Sequence, residues 1–209
     1  MTCDHCTYDK GCCDIDWEEV PMGPVIGEEI PDFEGEIYHE KAFKKIRLSE
    51  YRGKWLVLFF YPADFTFVCP TELEDLADNY TKFRELGAEI LSVSTDTVFV
   101  HKAWHDHSES ISKVEYPMLA DPTGILSRML GVYIPHEGVA LRGTFIVDPD
   151  GILQSYEVNA NNIGRSSDEL LRKLQAAQFV RENKDLVCPA KWQPGKETLK
   201  PGIDLVGKI

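Results

Sequence analysis

The sequence predicts an α/β fold in which a central mixed sheet is flanked by helices. A continuous apolar run at residues 55–61 has the length of a strand, which indicates a central strand covered on both faces. Shortly after it, apolar residues between Leu73 and Leu86 recur at spacings of three and four, which is typical of an amphipathic helix. Strand and helix signals then alternate along the chain, and no linker or internal repeat divides it, so we expect one α/β core.

The first half of the chain supplies a hairpin and then this strand and helix. We expect the hairpin within residues 33–48, ahead of the central strand. Pro70 suits the first turn of the helix, where its missing N–H costs nothing, and Gly87 suits the position of a C-terminal cap. A strand at residues 89–94 and a helix at about residues 98–108 follow.

The second half predicts a short helix, a hairpin and a final helix. The short helix is expected at about residues 124–130. Strands at residues 144–147 and 152–158 flank residues 148–151, whose sequence Asp-Pro-Asp-Gly is a hairpin-turn signature. Ser166 and Glu169 have the spacing of a capping box for a last helix that ends near Asn183.

Cys69 is the strongest candidate for a reactive residue. It lies directly after the central strand and directly before the amphipathic helix, where unpaired backbone N–H groups and the helix dipole favour a thiolate. Thr66, three residues earlier, can hydrogen-bond the sulfur or an oxygen presented to it, and Pro62 ends the strand and can shield the sulfur from water. Most free cysteines serve only in packing, but threonine, cysteine and proline together at a helix start favour a nucleophile.

Composition excludes several classes of function. The net charge is −13, and the acidic residues are spread along the chain, so we expect neither a nucleic-acid nor a membrane partner. The longest apolar run is far too short to span a bilayer, and the N-terminus has no apolar signal segment, which predicts a soluble, cytoplasmic protein. Six cysteines in such a chain indicate redox chemistry or metal binding rather than a disulfide framework.

The N-terminal segment carries four of these cysteines, at positions 3, 6, 12 and 13. Cys3, Cys6, Cys12 and Cys13 together are dense enough to bind zinc or an iron–sulfur centre. The Cys3–Cys6 spacing also suits a dithiol that passes electrons to the active site. A disordered, reducible tail is the third interpretation, and the sequence leaves all three open.

A group of histidines is a weaker candidate for a metal site. His101 and His105 are four residues apart on a predicted helix, with Asp106 and His107 beside them. Trp104 between them favours an ordinary packing or surface helix, and we prefer that interpretation.

Pro62, Thr66 and Cys69 have the spacing of the active-site motif of the peroxiredoxins, and the chain resembles that family. Residues 92–96, 101–105, 121–124 and 142–149 also match it, and residues 187–192 and 204–209 are similar to the tail of its bacterial alkyl hydroperoxide reductase group. The resemblance covers about residues 24–209. We therefore expect an N-terminal extension at 1–23, a thioredoxin-like peroxiredoxin domain at 24–185, and a tail at 186–209.

The resemblance implies a thiol-dependent peroxidase that reduces hydrogen peroxide and small organic hydroperoxides without a cofactor. Cys69 would be the peroxidatic thiolate that becomes a sulfenic acid, with Thr66 hydrogen-bonding the reacting pair. Arg142 would hold the thiolate and stabilise developing charge, which the attack on an O–O bond requires. Arg165 matches a second arginine of the family, and Glu72 matches an acid that orients the two arginines.

The resemblance also implies how the oxidised enzyme is recycled. Cys188 would be the resolving thiol and would pair with Cys69 of a partner subunit in a head-to-tail homodimer, five of which form a decameric ring. A disulfide needs Cα atoms within about 7 Å, so either the helix start unwinds or the tail moves. A flavoprotein disulfide reductase or thioredoxin would then reduce the disulfide.

Two other functions are alternatives to the peroxidase. A thioredoxin-type oxidoreductase favours a second cysteine three residues after the first, and Glu72 occupies that position. A redox-regulated chaperone or peroxide sensor is the alternative from a different class. The chain also lacks the Gly-Gly-Leu-Gly insertion and the terminal Tyr-Phe helix of oxidation-sensitive eukaryotic members, so the resemblance implies comparative resistance to overoxidation.

Overall fold

The computed structural model describes residues 23–208 of the 209-residue chain. The predicted cysteine cluster at Cys3, Cys6, Cys12 and Cys13 lies outside the described residues. Within them, no helix has the length and apolar character needed to cross a membrane.

The centre of the protein is a seven-stranded mixed sheet. Its strands stand in the order β2-β1-β5-β4-β3-β8-β9. Their bounds are β1 Glu34–His39, β2 Ala42–Arg47, β3 Trp55–Phe60, β4 Ala88–Ser94, β5 Met118–Ala120, β8 Arg142–Val147 and β9 Leu153–Asn159. A separate two-stranded sheet is formed by β6 Tyr133–Ile134 and β7 Val139–Ala140.

Within residues 23–208, four α-helices accompany the sheet. They are α1 Cys69–Glu85, α2 Val98–His107, α3 Ile125–Met129 and α4 Ser167–Glu182. Short 3₁₀ turns lie at Leu48–Tyr51, Ile111–Lys113 and Ile203–Leu205. One buried cluster joins α1 and α4 to one face of the sheet, and a second cluster fills the other face, so β3 is apolar throughout because both its faces are covered.

The pairing of β3 determines where the site forms. β3 runs parallel to β4 and antiparallel to β8, with Phe59 opposite both Ser92 and Thr144. Since β8 begins at Arg142 and β3 ends at Phe60, the start of one strand and the end of the other lie at the same edge of the sheet. The chain enters α1 from that edge, which brings the first turn of α1 towards Arg142.

The structure confirms most of the predicted elements. The hairpin within residues 33–48, the central strand, the helix at Cys69 and the strand and helix that follow it are all present. Gly87 follows α1 with φ +67°, which is the left-handed conformation expected of a C-terminal cap. The sequence did not predict β5, β6 or β7, which contain only three, two and two residues and so show no periodicity.

The predicted capping box at Ser166 and Glu169 is wrong. Ser166 is the N-cap of α4, but its side chain makes no capping hydrogen bond. The N–H of Ser167 instead donates to Asp75 Oδ2 on α1 at 2.7 Å. A carboxylate of the neighbouring helix α1, rather than the Ser166 side chain, therefore accepts a hydrogen bond from a free N–H group at the start of α4.

Candidate active site

Cys69 is the first residue of α1 and is fully buried. Pro70 follows it in the first turn, as the sequence predicted. The backbone N–H groups of Thr71 and Glu72 donate to Val68 O at 3.1 and 3.3 Å, which closes the first turn. The helix start thus holds the sulfur inside the protein at the edge of the sheet.

Arg142 contacts this sulfur directly. Its Nη1 donates to Cys69 Sγ at 3.4 Å and to Glu72 Oε2 at 2.5 Å. Its Nε donates to the carbonyl oxygen of Asn161 at 2.9 Å, so the guanidinium is fixed at both ends. Because Arg142 and Glu72 are both 3% exposed, these charge-assisted bonds form out of contact with bulk water.

Arg165 is the second cation of the cluster, and Glu72 joins it to Arg142. Its Nε donates to Glu72 Oε1 at 2.9 Å and its Nη2 to Glu72 Oε2 at 3.0 Å, a two-pronged pair. Its Nη1 donates to the Gly143 carbonyl and to Thr144 Oγ1, and its guanidinium carbon lies 3.4 Å from the centre of the Phe59 ring. Burial lowers the pKa of Arg165, while the hydrogen bonds to Glu72 oppose that shift.

The cluster around Cys69 contains more basic than acidic side chains. Arg142 and Arg165 contribute two guanidinium groups, and Glu72 contributes one carboxylate. One of the guanidinium groups contacts Cys69 Sγ directly. A cation in this position is the kind of neighbour found beside reactive cysteines.

Thr66 and Pro62 lie in the loop between β3 and α1. Thr66 Oγ1 donates to the carbonyl of Ala63 at 2.9 Å rather than to the sulfur, so the predicted bond to sulfur is not made in this conformation. That donation leaves the oxygen lone pairs as acceptors. Pro62 directly follows Tyr61 and is partly buried, which is compatible with the predicted shielding role.

Cys188 lies in the tail after α4 and is partly exposed. Val187 pairs with Leu199 through two backbone hydrogen bonds, which folds the tail back on itself. Trp192 is buried, and its ring centre lies 4.9 Å from that of Phe179 on α4. Burial raises the pKa of the Cys188 thiol, with Arg172 partly opposing it, and both Cys69 and Cys188 are free thiols.

The three histidines of α2 face different partners. His101 is buried and bonds to Asp64, whereas His105 Nε2 donates to the Val114 carbonyl and His107 Nδ1 to the Ala103 carbonyl. Across residues 23–208, no group of three or more histidine, cysteine or carboxylate side chains is placed to hold a metal ion.

The bond between Asp64 and His101 was not predicted from the sequence. Asp64 stands between Pro62 and Thr66, and a single acid in a loop is ordinarily solvated. Its side chain is instead fully buried, and its partner lies 37 positions along the chain. Nothing in the local pattern signals such a long-range pair.

Comparison with known proteins gives matches over almost the whole described chain. The model of the AhpC/TSA family matches residues 26–156, and that of the C-terminal domain of 1-Cys peroxiredoxin matches residues 176–204, which include Cys188. Alkyl hydroperoxide reductase C of Staphylococcus epidermidis is 54% identical over 187 residues, covering 88% of this chain and 99% of its own. The Bacillus subtilis protein of the same name is 53% identical over 185 residues, with the same coverage.

Solved structures give the same result. The crystal structure of Enterococcus faecalis AhpC superposes with a TM-score of 0.77 at 50% identity, covering 79% of this chain and 99% of that one. Reduced Plasmodium vivax 2-Cys peroxiredoxin superposes with a TM-score of 0.82 at 36% identity, covering 86% and 94%.

These matches and the seven-stranded mixed sheet define a peroxiredoxin, a thiol-dependent peroxidase of thioredoxin-like fold. More narrowly, the chain belongs to the AhpC/TSA family. The predicted α/β class and the predicted family are confirmed. Membership of this family implies a peroxide substrate, a thiol reductase partner and oligomerisation, and the peroxidase step needs no cofactor.

Proposed function

We propose that Cys69 is the peroxidatic thiol and that the enzyme reduces hydrogen peroxide and organic hydroperoxides to water or alcohols. The observation that supports this assignment is the 3.4 Å contact between Cys69 Sγ and Arg142 Nη1. In it, a buried sulfur at a helix start meets a cation that is held by Glu72. A thiolate in such a site is both stabilised and aimed.

The proposed first step moves one oxygen atom. The Cys69 thiolate attacks the nearer peroxide oxygen, an S–O bond forms, and the O–O bond breaks. The departing hydroxide or alkoxide leaves with the bonding electron pair and takes up a proton, while the sulfur is oxidised to sulfenic acid. Arg142 stabilises the charge that develops on the oxygens, and Thr66 accepts a hydrogen bond from the bound peroxide.

In the proposed second step, Cys188 of the partner subunit captures the sulfenic acid. The two sulfurs form a disulfide and water leaves, which protects Cys69 from irreversible oxidation. A disulfide needs Cα atoms within about 7 Å, so either the tail moves or the helix start unwinds. Cys69 lies fully buried in an intact helical turn, so we favour unwinding of that turn. A dithiol protein, either a flavoprotein disulfide reductase or thioredoxin, then reduces the disulfide.

The proposed assembly is a homodimer, five copies of which form a decamer, and the proposed location is the cytoplasm. A reducing compartment suits an enzyme whose disulfide must be reopened in every cycle. We retain the division into an extension at 1–23, a domain at 24–185 and a tail at 186–209 as part of this proposal. Zinc or iron–sulfur binding by Cys3, Cys6, Cys12 and Cys13 remains a prediction from sequence, and elemental analysis of anaerobically purified protein tests it.

The experiment is a peroxide-consumption assay with wild type, Cys69→Ser and Cys188→Ser under thioredoxin and flavoprotein reducing systems. We expect Cys69→Ser to lose all turnover. Cys188→Ser should complete one oxidation, leaving a sulfenic acid that dimedone labels at position 69. Wild type treated with peroxide should give a reductant-sensitive, dimer-sized band on denaturing gels, and Cys188→Ser should not.

Two results would overturn this assignment. Full turnover by Cys69→Ser would remove the peroxidatic role. A monomer-sized oxidised band with an internal disulfide would remove the pairing with the partner subunit.

A further inference from the structure

A buried network lies directly beneath the loop that carries Pro62 and Thr66. Asp64 Oδ1 accepts a hydrogen bond from Tyr61 Oη at 2.7 Å, and Asp64 Oδ2 lies 2.8 Å from His101 Nδ1. The side chains of Asp64 and His101 are both 0% exposed. A carboxylate fully removed from water in a loop is stable only because these partners replace its hydration.

His101 faces a hydrogen-bond acceptor at each ring nitrogen. Nδ1 meets the Asp64 carboxylate, and Nε2 lies 3.3 Å from the carbonyl oxygen of Leu119 on β5. These two contacts of His101 join the loop to α2 and to the sheet.

The same loop residue is also held through its backbone. The N–H of Asp64 donates to Asp96 Oδ2 at 2.8 Å, and Ser94 Oγ donates to the same oxygen. Asp64 is therefore fixed by Tyr61 directly after β3, by His101 on α2 and by Asp96 in the turn that follows β4. The titratable groups that face the pair are Tyr61 and Asp96, and neither is a second cation.

The residue after Asp64 is held less tightly, by packing alone. Phe65 has φ +55°, a left-handed conformation that is unfavourable for a non-glycine residue, and its side chain is 57% exposed. Its ring packs on Trp104 of α2 at 5.9 Å between centres. Strained backbone persists only where its surroundings impose it, and here the fixed neighbour is Asp64.

We propose that the Asp64–His101 pair is the anchor of the peroxidatic loop. The anchor positions Pro62 and Thr66 against Cys69 in the closed site, and it stays in place when the first turn of α1 unwinds. Opening therefore begins at Phe65 rather than at the end of β3. Asp64 and His101 are positioning residues, since neither touches the sulfur, and this inference rests on the proposed role of Cys69.

The first test measures the rate constant for oxidation of Cys69 by hydrogen peroxide in single-turnover mixing. The full-length background is Cys188→Ser, which stops the cycle at the sulfenic acid. We expect Asp64→Asn and His101→Gln each to lower this rate constant about 100-fold, the scale of a small misplacement near reacting atoms. The double variant should be no slower than the worse single variant, because each residue acts through the other.

The matched control is His105→Gln. His105 lies one turn further along α2 and bonds to the Val114 carbonyl instead of the loop, so its rate constant should stay within about twofold of the background. If the background is oxidised rapidly and Asp64→Asn and His101→Gln are oxidised at the same rate, the anchor proposal is wrong. The proposed role of Cys69 would not be affected by that result. Absence of oxidation in the background itself would instead overturn the proposed role of Cys69.

Two measurements on the wild-type protein complete the test. Nitrogen-detected NMR of histidine-labelled wild type should show a hydrogen-bonded proton on Nδ1 of His101, and an Nδ1 without a proton would contradict its bond to Asp64. After peroxide treatment, hydrogen exchange should accelerate at the Thr71 and Glu72 amides but stay slow at those of Tyr61 and Asp64. Equal loss of protection at all four amides would contradict an opening that starts at Phe65.

Discussion

At the scale of single residues, Glu72 is the centre of the site. It accepts hydrogen bonds from both arginines, and it occupies the position where thioredoxin-type enzymes favour a second cysteine. Its carboxylate sets the orientation of Arg142, and Arg142 in turn contacts the sulfur. The chemistry of Cys69 therefore depends on a residue that does not touch it.

Replacing Glu72 tests this dependence. In Glu72→Gln, two buried guanidinium groups lose their shared counter-charge, so we expect a loss of about 3–5 kcal/mol in the free energy of unfolding. Cys69 oxidation should slow as well, because Arg142 loses its support. Chemical denaturation and stopped-flow oxidation measure the two effects.

The control is Glu74→Gln on the same helix, which removes the more exposed ion pair between Glu74 and Lys113. Its cost should be much smaller than that of Glu72→Gln, because water screens the exposed pair. A Glu72→Gln protein as stable as this control would show that the buried cluster does not stabilise the fold.

Cys188 gives a prediction about pH. Burial raises the pKa of its thiol, so the folded chain holds that proton to higher pH than the unfolded chain does. In Cys69→Ser, the midpoint of the pH profile for alkylation of Cys188 should therefore lie higher in the folded protein than in urea. The opposite order of midpoints would mean that Arg172 outweighs burial.

At the scale of elements, the sequence predicted those strands and helices that are specified by their own hydrophobic pattern. The run of β3 and the periodicity of α1 were sufficient because burial on one face or two leaves a signature in a single segment. The elements that were missed are short or depend on distant partners. β5 has three residues and exists because it pairs with β1 and β4, which no local pattern reveals.

The start of α4 also depends on a partner that is distant in sequence, and this dependence can be tested. Ser166→Ala should change the free energy of unfolding by less than about 0.5 kcal/mol, because the Ser166 side chain makes no capping bond. Asp75→Ala should cost about 1 kcal/mol, since it removes the acceptor for the Ser167 N–H. Thermal and urea denaturation of the two variants compare them, and a larger effect at Ser166 would restore the predicted capping box.

The candidate site divides in the same way. The motif spacing selected Pro62, Thr66 and Cys69 because they lie in one short stretch between the end of β3 and the start of α1. Arg142 and Arg165 came only from the resemblance, since the pairing of β3 with β8 brings Arg142 to Cys69 and Arg165 reaches Glu72 from the segment before α4. The bond of His101 to Asp64 was found only in the structure, because it joins two separate elements.

At the scale of the whole molecule, the C-terminal region bears on overoxidation. Between α4 and residue 208, the only helical segment is the exposed 3₁₀ turn at Ile203–Leu205. No terminal helix within this described stretch packs over the first turn of α1 to hold it closed. We therefore expect local opening to be less restricted, so that Cys188, the proposed resolving thiol, reaches the sulfenic acid sooner.

We expect comparative resistance to overoxidation as a result. Under excess peroxide with a working reductant, Cys69 should accumulate as disulfide, with sulfinic acid appearing only after many turnovers. Intact-mass and peptide mass spectrometry measure the two products. Cys188→Ser is the sensitive comparison, and sulfinic acid forming as early in wild type as in Cys188→Ser would contradict the prediction.

The complete burial of Cys69 also limits which reagents reach its sulfur in the closed protein. Hydrogen peroxide and small hydroperoxides need a smaller opening than glutathione disulfide or drug-sized electrophiles, which we expect to react only after the first turn of α1 has unwound. Poisoning by such compounds should thus require an enzyme that is cycling. Enzyme that is not turning over would stay closed, and its Cys69 would not be modified. Modification would be confined to the molecules that are reducing peroxide at that moment.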